Sequence, residues 1–177
     1  MVDKALALLK VIRKIPMFNG LNSEQTRSVL QACEFRGVRG GEEICRVNGQ
    51  SDEMYILLSS RMGVYNESQI LLASIEPVDP VGEMELITGQ LRSATVSAAS
   101  DCNLLVLRKV AFDRLMRNNM DLCTRVYGSV IEMLGRRLDE SRDEQGRMER
   151  NRMALEIKLN EVENQIDMLT RGRRQYQ

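Results

Sequence analysis

The sequence predicts an α+β fold: an antiparallel β-roll or barrel with flanking helices, followed by a long C-terminal coiled-coil helix. Three observations predict it. Apolar residues near the N-terminus recur with a period near 3.6. The stretch from Cys33 to Leu107 breaks into short apolar runs separated by Gly, Asn, Asp and Pro. From Ile131 onward, apolar positions alternate three and four apart. The expected division is residues 1–118, the β-roll with its N-terminal helices, and residues 119–177, a long helix that dimerises as a coiled coil.

With 177 residues and 43% hydrophobic content, the chain can build one core and carry an appendage. Lys plus Arg and Asp plus Glu each number 25, so no net field favours nucleic acid or a membrane surface. The absence of histidine removes His-based catalysis, His-ligated haem and most zinc chemistry. Cys33, Cys45, Cys102 and Cys123 are far apart and form no C-x-x-C, which argues for reduced thiols, no metal and a cytoplasmic setting. No nucleophile elbow or Walker loop appears, so neither enzyme activity nor a cofactor is expected. Lys4, Lys10, Arg13 and Lys14 interrupt the first apolar stretch, which leaves no signal peptide or membrane span.

Taking the elements in order, Leu6, Leu8, Leu9, Ile12 and Ile15 give residues 2 to 15 one apolar helical face that ends at Pro16. A turn at Phe18-Asn19-Gly20-Leu21 follows. Asn22 with Gln25 three residues later is a capping-box variant opening a second helix, whose apolar side is Val29 and Leu30. The runs 35–38, 44–47, 54–58, 62–65, 70–75, 94–98 and 104–107 read as strands, with turns at Gly40-Gly41, Asn48-Gly49 and Asn66. Phe112, Leu115 and Met116 mark a short helix, and a long one begins near Met120. Its seam is Ile131, Leu134, Leu138, Ser141, Gln145, Met148, Arg152, Leu155, Leu159, Val162, Ile166 and Leu169. Ser141, Gln145 and Arg152 make the middle of the seam polar, and Gly135 and Gly146 each cost about 1 kcal/mol of helix propensity, so the stretch near 141–147 is expected to be weak.

The functional signal is the stretch Gly82 to Ala98. It places an acid, Glu83, after a Gly turn and a base, Arg92, after Gly89, at the two ends of a tight loop entering a strand. A sugar phosphate needs such a pair: a guanidinium and backbone N–H groups for the anion, and a carboxylate to accept from a ribose hydroxyl.

This stretch resembles the phosphate-binding cassette of the cyclic nucleotide-binding domain family, the sensor fold of catabolite activator-like proteins and of cyclic nucleotide-regulated kinases and channels. The pattern is carried by Gly82, Glu83 and Met84, then Arg92, Ser93, Ala94 and Val96. Asp52-Glu53-Met54-Tyr55-Ile56-Leu57 resembles a second family strand, with Ser51 where Gly is usual. Val78 and Pro80 stand where a Gly and an aromatic are usual. The resemblance runs from about Pro16 to Arg142 and implies roles for individual residues. Arg92 would take the phosphate of a cAMP-type or cGMP-type ligand, Glu83 the ribose 2′-hydroxyl, and Ser93 would add a hydroxyl to the phosphate. Met84 and Glu85 would offer backbone N–H groups at the start of a short helix, with Gly82 and Ala94 completing the cassette. After Arg136-Arg137-Leu138, Ser141 and Arg142 would meet the base.

Glu85 departs from the small residue that the family usually places there. Beside a bound phosphate, two unit charges about 6 Å apart at an effective dielectric of about 20 repel by roughly 3 kcal/mol, or about a hundredfold in affinity. Two arrangements are open: Glu85 pointing outward as a helix cap, or pairing with Arg92 in place of the phosphate. The resemblance therefore implies a regulatory module that binds a cyclic nucleotide and signals through a homodimeric coiled coil to a protein partner. The alternative is a degenerate fold acting as a scaffold without nucleotide.

Seam charges leave the strand direction open. A parallel pair would match Lys158 with Glu163 but oppose Glu144 to Glu149 and Arg137 to Arg142. The sequence shows no helix-turn-helix after the long helix, so direct DNA binding is not expected, and the basic Arg171-Gly-Arg-Arg end reads as a solvated helix terminus.

Overall fold

The computed structural model describes residues 2–174, with side chains described for 6–136 and 138–160. The side chains of Arg137, Val162, Glu163, Ile166 and Leu169, and those of the basic end after Thr170, lie outside that set.

Helix α1 (Val2–Lys14) stops where Pro16 opens a short 3₁₀ turn, Pro16–Phe18. Helix α2 (Ser23–Ala32) carries the capping box: the Asn22 side chain accepts from the Gln25 N–H at 2.9 Å, and the Gln25 side chain accepts from the Asn22 N–H at 3.0 Å. Five strands follow: β1 (Cys33–Val38), β2 (Glu43–Cys45), β3 (Glu53–Leu57), β4 (Met62–Tyr65) and β5 (Leu71–Ile75). Next come β6 (Pro80–Val81), α3 (Glu83–Thr88), β7 (Thr95–Ala98), β8 (Cys102–Arg108), α4 (Lys109–Asn118) and α5 (Met120–Arg174). Two four-stranded antiparallel sheets result, ordered β1-β8-β3-β6 and β2-β7-β4-β5.

Strand β6 lies outside the expected runs. Pro80 cannot donate to a ladder, but it sits at the first residue of a two-residue edge strand, facing Ile56 of β3, where no donation is required. The turn expected at Asn66 takes its positive φ at Gln69 instead, while the Asn66 side chain accepts from the Ile70 N–H at 2.9 Å. Asn48 does adopt positive φ, at 60°.

Strands β3 and β8 explain why their sequences read as continuous apolar runs rather than alternating ones: both faces are covered. Met54, Ile56, Leu105 and Leu107 join a core with Ile12, Phe18, Val29, Leu86 and Phe112 of the helical layer. Tyr55, Leu57, Leu104 and Val106 pack against Met62, Val96 and Ala98 of the second sheet. Each fully buried Phe or Leu in these layers contributes about 1.5–3 kcal/mol.

The chain divides into two compact units, one ending at Ile131 and the other beginning at Glu132. Leu122, Val126 and Val130, from the start of α5, belong to the core of the first unit. The second unit is helical, and α5 passes Gly135 and Gly146 without interruption. Its described seam residues Leu134, Leu138, Met148, Leu155 and Leu159 are all exposed.

Candidate functional site

The backbone fixes Arg92 before its side chain does anything. Its N–H donates to the Gly49 carbonyl at 3.0 Å, and its carbonyl accepts from the Asn48 N–H at 2.8 Å, which ties the cassette to the turn after β2. The guanidinium then runs inward and is only 3% exposed. Gly82, at φ +84°, is required twice over: its backbone is left-handed, and a Cβ there would collide with the Arg92 guanidinium.

Three acceptors and a ring hold that guanidinium. Nη1 donates to Glu85 Oε2 at 3.2 Å. Nη2 donates to Ser51 Oγ at 2.8 Å and also to the Glu53 carbonyl. Its Cζ lies 5.5 Å from the centroid of the Tyr55 ring. Nε is buried with no acceptor among the described residues, an orphan donor of a kind that costs about 1–3 kcal/mol. Of the two arrangements open to Glu85, the structure holds the ion pair: the carboxylate is 9% exposed and turned onto Arg92, rather than outward as a cap.

The remaining cassette residues take several environments. Glu83 is buried at the start of α3, Met84 and Ala94 are half-buried, and Ser93 is exposed. Helix α3 is anchored by the buried Leu86, whose carbonyl accepts from Lys109 Nζ at 3.0 Å. Ser141 and Arg142 lie in the second unit, both exposed, and every side chain around Arg92 described above belongs to the first.

Sequence reasoning missed the support behind Arg92. Tyr55 donates its hydroxyl to Glu53 Oε2 at 3.0 Å, while Arg36 Nη2 and Arg108 Nε reach Glu53 Oε1 at 2.9 and 3.2 Å. Burial pushes the Glu53 carboxyl up, but hydrogen bonds from Arg36 and Tyr55 and the charges of Arg36 and Arg108 outweigh it and hold it below the ordinary carboxylate range. Burial likewise raises the Tyr55 hydroxyl, and it raises the Cys45 thiol against the opposing charge of Arg92. The available signal was the alternation of Glu53 and Tyr55 beside the odd Ser51, all within one strand and its approach. Thr95 was missed as well: it is buried and accepts from the Val47 N–H at 3.1 Å, closing the loop behind the cassette.

Among the described residues, no cluster of Cys, Asp and Glu could hold a metal ion, and no helix is long and apolar enough to cross a membrane.

A two-sheet roll, an Arg buried beneath a Gly-capped short helix, and an acid at the head of that helix are arranged as in the cyclic nucleotide-binding fold. The chain matches the model of the cyclic nucleotide-binding domain over residues 35–119. It is 29% identical over 126 residues to a cyclic nucleotide-gated potassium channel of Mesorhizobium japonicum, covering 71% of this chain and 35% of the channel. It is 26% identical over 166 residues to a cAMP-dependent protein kinase regulatory subunit of Yarrowia lipolytica, covering 94% of this chain and 43% of the subunit. The chain thus spans less than half the length of these curated relatives. Among solved structures, the N-terminal domain of a transcriptional regulator from Streptomyces coelicolor superposes with a TM-score of 0.67 at 20% identity, over 73% of this chain and 93% of that one. The catabolite activator protein of Thermus thermophilus gives 0.62 at 26% identity, over 71% and 59%.

Proposed function

We propose that this chain is a regulatory ligand-sensing module that binds a 3′,5′-cyclic nucleotide of the cAMP or cGMP type through Gly82–Ala98. Arg92 takes the phosphate and Glu83 the ribose 2′-hydroxyl. The observation that carries the reading is Arg92 itself: a guanidinium removed from water, held from behind, and left with one orphaned donor inside the segment that matches the family. The kinase regulatory subunit and the gated channel among its relatives are both named for cyclic nucleotides. No catalytic role is proposed for any residue.

The output runs through α5. Leu134, Leu138, Met148, Leu155 and Leu159 expose apolar side chains at seam spacing, as does Ile131 at the end of the first unit. Pairing of two copies along that seam, or with a helix of a protein partner, is the favoured use of such a stripe. Titration calorimetry of the wild-type chain and of Arg92→Gln with cAMP and cGMP tests the binding. Saturable heat in the wild type that disappears in the variant is expected; binding that survives the substitution defeats the assignment.

The Glu85–Arg92 pair favours one other reading, a scaffold that keeps the fold without the ligand. A thermal-shift screen separates the two, because a ligand that binds the native state raises the melting temperature by mass action.

A further inference from the structure

Two positions at which the sequence departs from the family pattern meet at one side chain. Ser51 accepts from Nη2 of Arg92 and Glu85 accepts from Nη1. The Glu53 carbonyl takes Nη2 as well, so both hydrogens of that nitrogen are committed. A phosphate engages Arg through two parallel N–H groups. A guanidinium offers two such edges away from its own side chain, Nη1 with Nη2 and Nε with Nη2, and both include the committed nitrogen.

The geometry points to Glu85 as an internal competitor for the phosphate. Its carboxylate occupies the seat on Arg92 that the nucleotide requires, and binding proceeds by displacing it. The inference rests on the nucleotide-sensing reading and deepens it, since it names the residue that sets affinity. Ser51 and the Glu53 carbonyl are neutral acceptors: a bidentate phosphate also takes one Nη2 hydrogen from them, but neither contests the charge of the guanidinium. Glu85 contests it: one cation cannot satisfy two anions, and a carboxylate that stays near an entering phosphate weakens binding by about a hundredfold.

The test is titration calorimetry of the full chain with cAMP and with cGMP at one fixed ionic strength, on the wild type, Glu85→Ala, Glu85→Gln and Ser51→Gly. Glu85→Gln keeps the shape and an acceptor for Arg92, so the comparison stands even where the alanine variant fails to fold. Both Glu85 variants are expected to bind one nucleotide tighter by roughly ten- to a hundredfold, with Ser51→Gly changing affinity far less. Equal affinities for the wild type and Glu85→Gln overturn the inference while leaving the nucleotide-sensing reading intact. Absence of heat in every folded variant overturns that reading itself, and the inference with it.

Discussion

Val78 and Glu53 show what single residues contribute to stability. Val78 stands at φ +84°, a conformation that costs an L-residue about 1–2 kcal/mol and is worst for a β-branched one. Val78→Gly is therefore expected to stabilise the fold by about 1 kcal/mol, read as a rise in melting temperature; a fall would show that the Val side chain contributes more than the strain removes. Glu53 has a folded-state pKa below its unfolded value, so its ionised form adds stability that is present at neutral pH and lost as the pH falls through the folded value. Urea unfolding across the acid range should therefore show a shallower pH slope for Glu53→Gln than for the wild type. An identical slope would show that Glu53 contributes nothing to the acid dependence of stability. Breaking the buried Glu85–Arg92 pair from one side, as in Arg92→Ala, should cost about 3–5 kcal/mol because a carboxylate is left buried alone. At this scale the sequence was only partly legible. Glu85 and Ser51 could be seen as departures, but nothing in their spacing shows that both turn onto the same guanidinium, because side-chain direction follows from packing across three separate elements.

Elements with a strong local signal were read well. The Asn22–Gln25 capping box needs only residues three apart, and it is present. Asn22→Ala is expected to cost about 1 kcal/mol in chemical denaturation, with Asn22→Ser near neutral; equal losses in both would argue against the cap. The seven apolar runs all became strands, and burial of β3 and β8 between a helical layer and a second sheet explains why those two are continuous. Strand β6 was not legible: two residues that include a proline carry no periodicity, and only the pairing with β3 defines it. Helix α5 was legible as a helix from its spacing. The stretch near 141–147 was expected to be weak from polar seam positions and from the helix-propensity cost of Gly135 and Gly146; the helix runs through it unbroken, and the seam positions bear instead on how firmly two helices hold together.

For the whole molecule, the sequence carried the succession of helices, β-roll and long helix, because each part has its own hydrophobic period. The candidate site was legible through the cassette, where Gly82 and Arg92 stand in contact in the structure. Pairing along the α5 seam predicts that the chain sediments as a dimer and that Leu155→Lys with Leu159→Lys shifts it to monomer; unchanged mass would move the output to another surface. The proposal makes Arg92 the anchor of a cyclic nucleotide in competition with Glu85. Titration calorimetry with cAMP and cGMP on the wild type, Glu85→Gln and Arg92→Gln tests it most directly. Binding is expected in the wild type, tighter binding in Glu85→Gln and none in Arg92→Gln. Binding that persists in Arg92→Gln, or no binding by folded Glu85→Gln, would contradict it.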